Sequence, residues 1–325
     1  MTPESRQRRR PVPAAPIVVL LLVLLATVGA SAACNPVPEP GPRASTAQPE
    51  TEHAAHLPGL SAELNQFRDN YGKQIIEVQL TNTLTEPLTV LTAAVSSPLF
   101  NSPITWQSMQ QGTAVPPGQS KSLPAQLPDA VCPDAAQAFA DSSDTIPAES
   151  VLVVGLSPDG RRVRVPLTDP FGVLVRNNME LCVARAAAST AEFAFSPGLD
   201  ISPDGATAVI RLAIRPLAVV PHGNGAAEPL IITIERVDGT TLIAEDPDLP
   251  WPQGTTVSPG GEAAELQLSI RPARCDPHAV AEDKVGTLIP LHVQAGRLRG
   301  ILKVQAGTAL KAAILDFVAG ACARR

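Results

Sequence analysis

An ordered set of residues occurs twice in this chain, and that echo limits the possible folds more than any other feature. The first copy runs Glu86-Pro87-Leu88, Trp106, Gln111-Gly112-Thr113-Ala114-Val115-Pro116-Pro117-Gly118, Cys132 and Cys182. The second runs Glu228-Pro229-Leu230, Trp251, Gln253-Gly254-Thr255-Thr256-Val257-Ser258-Pro259-Gly260, Cys275 and Cys322. The Glu-Pro-Leu and Gln-Gly-Thr blocks are each offset by 142 residues, the first cysteines by 143 and the second by 140. Landmarks in one order at nearly one offset mark a tandem duplication. The chain therefore reads as two copies of one plan, over 61–186 and 187–325.

Within a copy, short apolar or Thr/Val-rich runs alternate with Pro and Gly turns. Ile75 to Thr81 and Leu88 to Val95 read as strands, with Ala208 to Ile214 and Leu230 to Val237 as their counterparts. Val151 to Leu156 and Arg161 to Val165, joined by Ser157-Pro158-Asp159-Gly160, form the clearest hairpin, matched by Thr287 to Val293 and Leu298 to Val304. Asp169-Pro170 predicts the start of a short helix near Phe171 to Asn178, after which Cys182 sits in an extended piece. Ala309 to Val318 is the matching helix. With 34 Pro and 3% aromatic residues in 325 positions, an all-helical chain is excluded, and Ala, Val, Leu and Ile must fill the cores. The prediction is a mainly β protein of two tandem antiparallel β-sandwiches, each with a short helix near its C-terminal end. The modules resemble immunoglobulin-like domains in the broad sense, although each Trp precedes both cysteines instead of lying between them.

The first 33 residues are an address. Arg6, Arg8, Arg9 and Arg10 precede the uncharged run Ile17 to Ala33, which closes on Ala30-Ser31-Ala32-Ala33-Cys34. This resembles a bacterial lipoprotein signal with Cys34 as the lipidated residue, with Ser31 where such signals usually carry Leu. Two other outcomes stand open: cleavage after Ala32 or Ala33, and retention as a single-pass anchor with its arginines inside. All three place the folded part outside the cytoplasm. Residues 34–60 carry Pro36, Pro38, Pro40, Pro42, Pro49 and Pro58 without apolar periodicity and read as a disordered tether holding His53 and His56. The tether, tandem modules and Ala- and Pro-rich chain together resemble uncharacterised two-domain envelope proteins of actinobacteria, a likeness that implies no activity.

Losing the first 33 residues removes four Arg and one Glu, so the body is more acidic than the −6 of the whole chain. A body of that charge without a basic cluster excludes nucleic acid as a partner, because such binding rests on Lys and Arg neutralising phosphates. The expected partners are the membrane, through the N-terminus, and another envelope component, protein or glycan.

Cys34 is the odd cysteine. The other four divide between the copies, so duplication selects the pairings Cys132–Cys182 and Cys275–Cys322 from the three possible. The best chemical candidate is His278, flanked by Asp276, Glu282 and Asp283, a set able to serve proton transfer or hold a metal. It has no counterpart near Cys132. Glu245, Asp246 and Asp248 form an acidic loop, the alternation Arg161-Arg162-Val163-Arg164 places arginines on an outer face, and Trp106 and Trp251 read as core anchors. With no nucleophile motif and no phosphate loop, we expect no cofactor and a non-enzymatic binding or scaffold protein. The alternatives are an envelope enzyme or metal-dependent carrier using His278, and a structural spacer. Binding is expected where the copies differ, in the Ala135–Ala148 and Ala218–Ala227 loops, and along the seam between them.

Overall fold

The computed structural model describes residues 55–109, 111–133, 147, 149–219 and 230–324. The signal, Cys34, residues 34–54 and most of the 135–148 and 218–227 loops lie outside the described residues. The first copy contributes ten strands: β1 (Ala55–His56), β2 (Leu60–Asn65), β3 (Ile75–Asn82), β4 (Leu88–Ser96), β5 (Ile104–Gln107), β6 (Thr113–Val115), β7 (Gln119–Gln126), β8 (Val151–Leu156), β9 (Arg161–Val165) and β10 (Leu167–Thr168). One sheet has the order β1-β9-β8-β4-β5 with β6 also on β4; the other has β10-β2-β3-β7. Only β1 with β9 and β10 with β2 pair in parallel among these strands. A 3-10 turn, Arg68–Lys73, links β2 to β3.

Helix α1 (Val173–Thr190) leads into the second copy. There follow β11 (Ala191–Phe195), β12 (Asp200–Ile201), β13 (Ala208–Pro216), β14 (Ile232–Val237), β15 (Ile243–Glu245), β16 (Thr255–Val257), β17 (Ala264–Pro272), the short helix α2 (Pro277–Ala281), β18 (Leu288–Ala295), β19 (Leu298–Gln305) and α3 (Thr308–Ala323). Its sheets run β11-β13-β17-β15, with β12 on β13, and β16-β14-β18-β19.

The pairing repeats along with the residues. Strands β2-β3-β7 match β11-β13-β17, and β4-β8-β9 match β14-β18-β19. Even the irregularity recurs: register shifts between Val90 and Thr92 on β4, and between Ile234 and Arg236 on β14. One strand changes sides. β5 pairs with β4, whereas β15, its equivalent by order, pairs with β17 in the opposite sheet.

Alternation fills each core. Leu60, Ala62 and Leu64 on β2 point inward, as do Ile210, Leu212 and Ile214 on β13, all almost fully buried. Trp251 is buried and donates its indole N–H to the Ser269 carbonyl at 2.6 Å, while Trp106 lies half-buried against the first core. In α3, Leu310, Ile314, Phe317, Val318 and Ala321 form one stripe against the second core. Fully burying side chains of this size contributes about 1.5–3 kcal/mol each.

Helix α1 departs most from expectation. It runs to Thr190, so Cys182 is helical, not extended, and the boundary read between 186 and 187 falls inside the helix. Val173, Leu174 and Cys182 belong to the first core, and Val183, Ala186 and Ala187 to the second. Asp169 starts it: its buried carboxylate accepts the N–H groups of Val173 and Leu174 at 2.7 and 2.9 Å, meeting the positive end of the helix. Asn178 donates to the carbonyls of Leu99 and Val131, and Asn177 exchanges hydrogen bonds with Gln66. At Gly300, β19 comes so close to α1 that an added Cβ would sit 2.9 Å from Val183 Cγ2. Pro49–Arg325 accordingly forms one compact unit holding two cores.

Both disulfides are formed in the expected pairing. Each ties a helix, α1 or α3, to the segment after the seventh strand of its copy. The boundary of the tether is also earlier than 60: Ala55 and His56 pair with Val163 and Arg164, covering the edge that β9 would otherwise present.

Candidate functional site

The residues around His278 do not converge. Asp276 accepts the His278 backbone N–H at 2.9 Å, an Asx turn that opens α2. Asp283 accepts the Thr241 hydroxyl and the Gly286 N–H, at 2.5 and 2.6 Å, and so fastens the turn before β18. His278 and Glu282 are exposed. The acidic loop is likewise committed: Glu245 accepts the Trp251 N–H, and buried Asp246 accepts the Ser269 hydroxyl. Among the described residues, no three His, Cys, Asp or Glu side chains gather in a way that could hold a metal ion.

The concave surfaces lie instead along α1, where it packs on β19. The outer face of β18 and β19 carries Leu288, Pro290 and His292 beside Gln305, Lys303 and Ile301, residue for residue across the ladder. Against this face stand α1 and the turn containing Tyr71. Lys303 Nζ is 2.6 Å from Glu180 of α1 and lies 4.9 Å from the Tyr71 ring centroid; Arg176 is 5.7 Å from the same ring. The Lys303–Glu180 pair is mostly shielded from solvent, with side chains 20% and 16% exposed, so it is screened less than a surface ion pair.

Several clefts meet here. One of about 180 Å³ lies between Tyr71, Glu180, Leu181, Ile301 and Lys303. A second, of about 400 Å³, opens between Tyr71, Lys303, Arg274 and the Gly239–Thr241 turn. A third, of about 500 Å³, is walled by Phe171, Val175, Met179 and Ile301, with Phe171 57% exposed. The first two share Tyr71, Leu288 and Lys303.

Near this face, Arg236 of β14, Asp238 just after it and His292 of β18 form a triplet. His292 Nε2 is 2.5 Å from Asp238, and Arg236 reaches both Asp238, at 3.0 Å, and His292, at 2.9 Å. Burial pushes the Asp238 carboxyl up, but hydrogen bonds from His292 and Arg236 and the positive charge beside it outweigh this and hold it below the usual carboxylate range. None of these seam residues forms a sequence motif. Tyr71, Glu180 and Lys303 are far apart in the chain, and the one signal available was general: the seam is where the two copies must differ.

No protein-family model matches the chain, and no curated protein matches it. Among solved structures, the chain is similar to red sea bream transglutaminase at 14% identity and a TM-score of 0.19, covering 78% of this chain and 32% of that one, about a third of its length. It is also similar to the calcium binding domain CBD12 of CALX1.1, at 8% identity and a TM-score of 0.17, over 69% of this chain and 74% of that one. For CBD12 from CALX1.2 the values are 10%, 0.17, 72% and 79%. Likenesses at these scores carry nothing about function, and the mainly β, antiparallel character rests on the sheets themselves.

Proposed function

We propose that this chain is a non-enzymatic, extracytoplasmic binding protein of the cell envelope, held to the membrane through Cys34 and engaging its ligand along the α1 seam. The observation that carries this reading is the meeting of clefts at Tyr71, Glu180 and Lys303, one residue from each part of the fold that the seam joins. Two disulfides point to an oxidising compartment outside the cytoplasm. No helix among the described residues is long and apolar enough to cross a membrane. A helix shared by two cores suits binding, because a cleft that is already formed loses little entropy on occupation.

The test uses the full chain in its own envelope. Intact mass of the native protein should show a lipid on Cys34, and Cys34→Ser should release the protein from membranes. A photo-crosslinking residue at Phe171 should give a discrete adduct that the same residue at exposed Leu249, outside the clefts, does not. A native mass beginning at Met1 would replace the lipid with a transmembrane anchor. Identical behaviour of the two crosslinking sites would remove the seam from the reading.

A further inference from the structure

Resting on that reading, we infer that the cleft between Tyr71 and Arg274 takes an acidic sugar, a pyranose ring bearing a carboxylate. The lining decides the sign of the ligand. Arg274 and Lys303 supply cations, and no Asp or Glu lines the cleft, although the chain as a whole is acidic. The Lys303 charge is already balanced by Glu180, which lines the neighbouring cleft. Arg274 is not balanced: among the described residues its exposed guanidinium has neither an ion pair nor a hydrogen bond, and the Tyr71 hydroxyl has no hydrogen bond. Asp283 is not among the lining residues, and its carboxylate is held by the Thr241 hydroxyl and the Gly286 N–H. The cleft therefore presents one unspent fork of N–H donors and one unspent phenol.

A single guanidinium fork matches one carboxylate in a bidentate pair. A polyphosphate would call for several cations or a cradle of backbone N–H groups, and here one cation is already neutralised. Val285, Leu288 and Pro290 add apolar surface to the lining, suited to the C–H face of a pyranose, and the Thr240 hydroxyl, which donates to the Gly286 carbonyl, also lines the cleft. At about 400 Å³ the cleft lies within the size range of small-molecule sites. A peptide is less well served. Leu288, Pro290 and Lys303 project from the face of β18 and β19, so the floor of the cleft offers no open strand edge for an extended backbone to pair with.

Calorimetric titration of the purified full chain in detergent tests this with three probes: trigalacturonic acid, the neutral galactose trimer and N-acetyl-alanyl-alanine. Trigalacturonate should bind. Arg274→Gln should weaken it about tenfold or more, as expected for loss of a charge-assisted pair, and added salt should weaken it as well. Tyr71→Phe, which keeps the ring, should cost several-fold by removing one hydrogen bond. Lys121→Gln, an exposed charge on β7, should change nothing and controls for net charge. Arg274→Gln is at the surface, and an unchanged urea midpoint would show that the variant folds. Preference for the dipeptide would overturn the sugar assignment. Equal binding of the neutral trimer, unaffected by Arg274→Gln, would overturn the acidic assignment while leaving the seam as a binding site. Failure of all three probes overturns the inference, and a crosslinked adduct at Phe171 would then show that the broader binding reading survives it.

Discussion

Asp169 is the side chain on which the coupling of the two cores can be tested. Its carboxylate holds the amides of Val173 and Leu174, both in residues with no exposed surface, so Asp169→Ala leaves two buried donors without their acceptor. A hydrogen bond to a charged group contributes about 1.5–3 kcal/mol net, and a buried amide left alone costs about 1–3 kcal/mol. Loss of an N-terminal cap generally costs about 0.5–2 kcal/mol. Two buried amides place Asp169→Ala above that range, at about 3 kcal/mol, or about 5 °C in Tm for a unit the size of Pro49–Arg325. Asp169→Asn keeps an acceptor and loses mainly the charge facing the helix end, about 1 kcal/mol. The two tryptophans report separately, Trp106 from the first sheet pair and Trp251 from the second. Denaturant unfolding followed by fluorescence, in Trp106→Phe and Trp251→Phe backgrounds with and without Asp169→Ala, should show both midpoints falling together. A Trp251 midpoint that stays put while Trp106 moves would refute the sharing of α1. A loss below about 1 kcal/mol at both would refute the role given to the cap.

Four further outcomes are expected. Replacing Cys275 and Cys322 by Ser opens a loop with a separation of 47 residues, and should lower stability by up to about 4 kcal/mol on the chain-entropy estimate, read by urea unfolding. Gly300→Ala should push β19 off Val183 and cost about 1–3 kcal/mol, an over-packing loss that Val183→Ala in the same chain should partly restore. Glu180→Gln leaves Lys303 without its partner in a largely shielded site and should destabilise by about 1–3 kcal/mol, whereas replacing both by Met should cost less. Asp238 is held below its ordinary pKa, so its stabilisation is complete above the unfolded value of about 3.9 and is lost as pH falls through the lower folded value. Asp238→Asn should therefore be less stable than the parent at neutral pH, and the gap should close in acid, as measured by Tm against pH.

Strands, hairpins and disulfides were legible because each has a local or repeated cause. Val151 to Leu156 is a continuous apolar run and Arg161 to Val165 alternates, on either side of a Pro-Asp-Gly turn, and the cysteine pairing follows from duplication alone. Helix α1 was legible only in its first turns. Its buried face carries Asn177, Asn178 and Thr190, while Val175 and Met179 line a cleft on another side, so no single apolar stripe announces its length. Its polar buried residues serve partners remote in the chain: Gln66 for Asn177, Leu99 and Val131 for Asn178. The seam was foreseeable as a place but not as a set of residues. Lys303 and Glu180 are 123 positions apart, and nothing in the neighbourhood of either reveals the other. His278, conspicuous in sequence beside three carboxylates, turned out to border a turn in which Asp276 and Asp283 each have a backbone to hold.

The double membership of α1 also sets a timetable. As the chain emerges from its N-terminus, the first sandwich and the first half of the helix are available together, and Cys132 can meet Cys182. The other half of the same helix, with Val183, Ala186 and Ala187, must wait uncovered until β18 and β19 have been made. For that interval a partly finished body shows an apolar helix face beside the β11–β13 pair, so the newborn chain is most open to capture by another copy of itself at a moment long after its first core has closed.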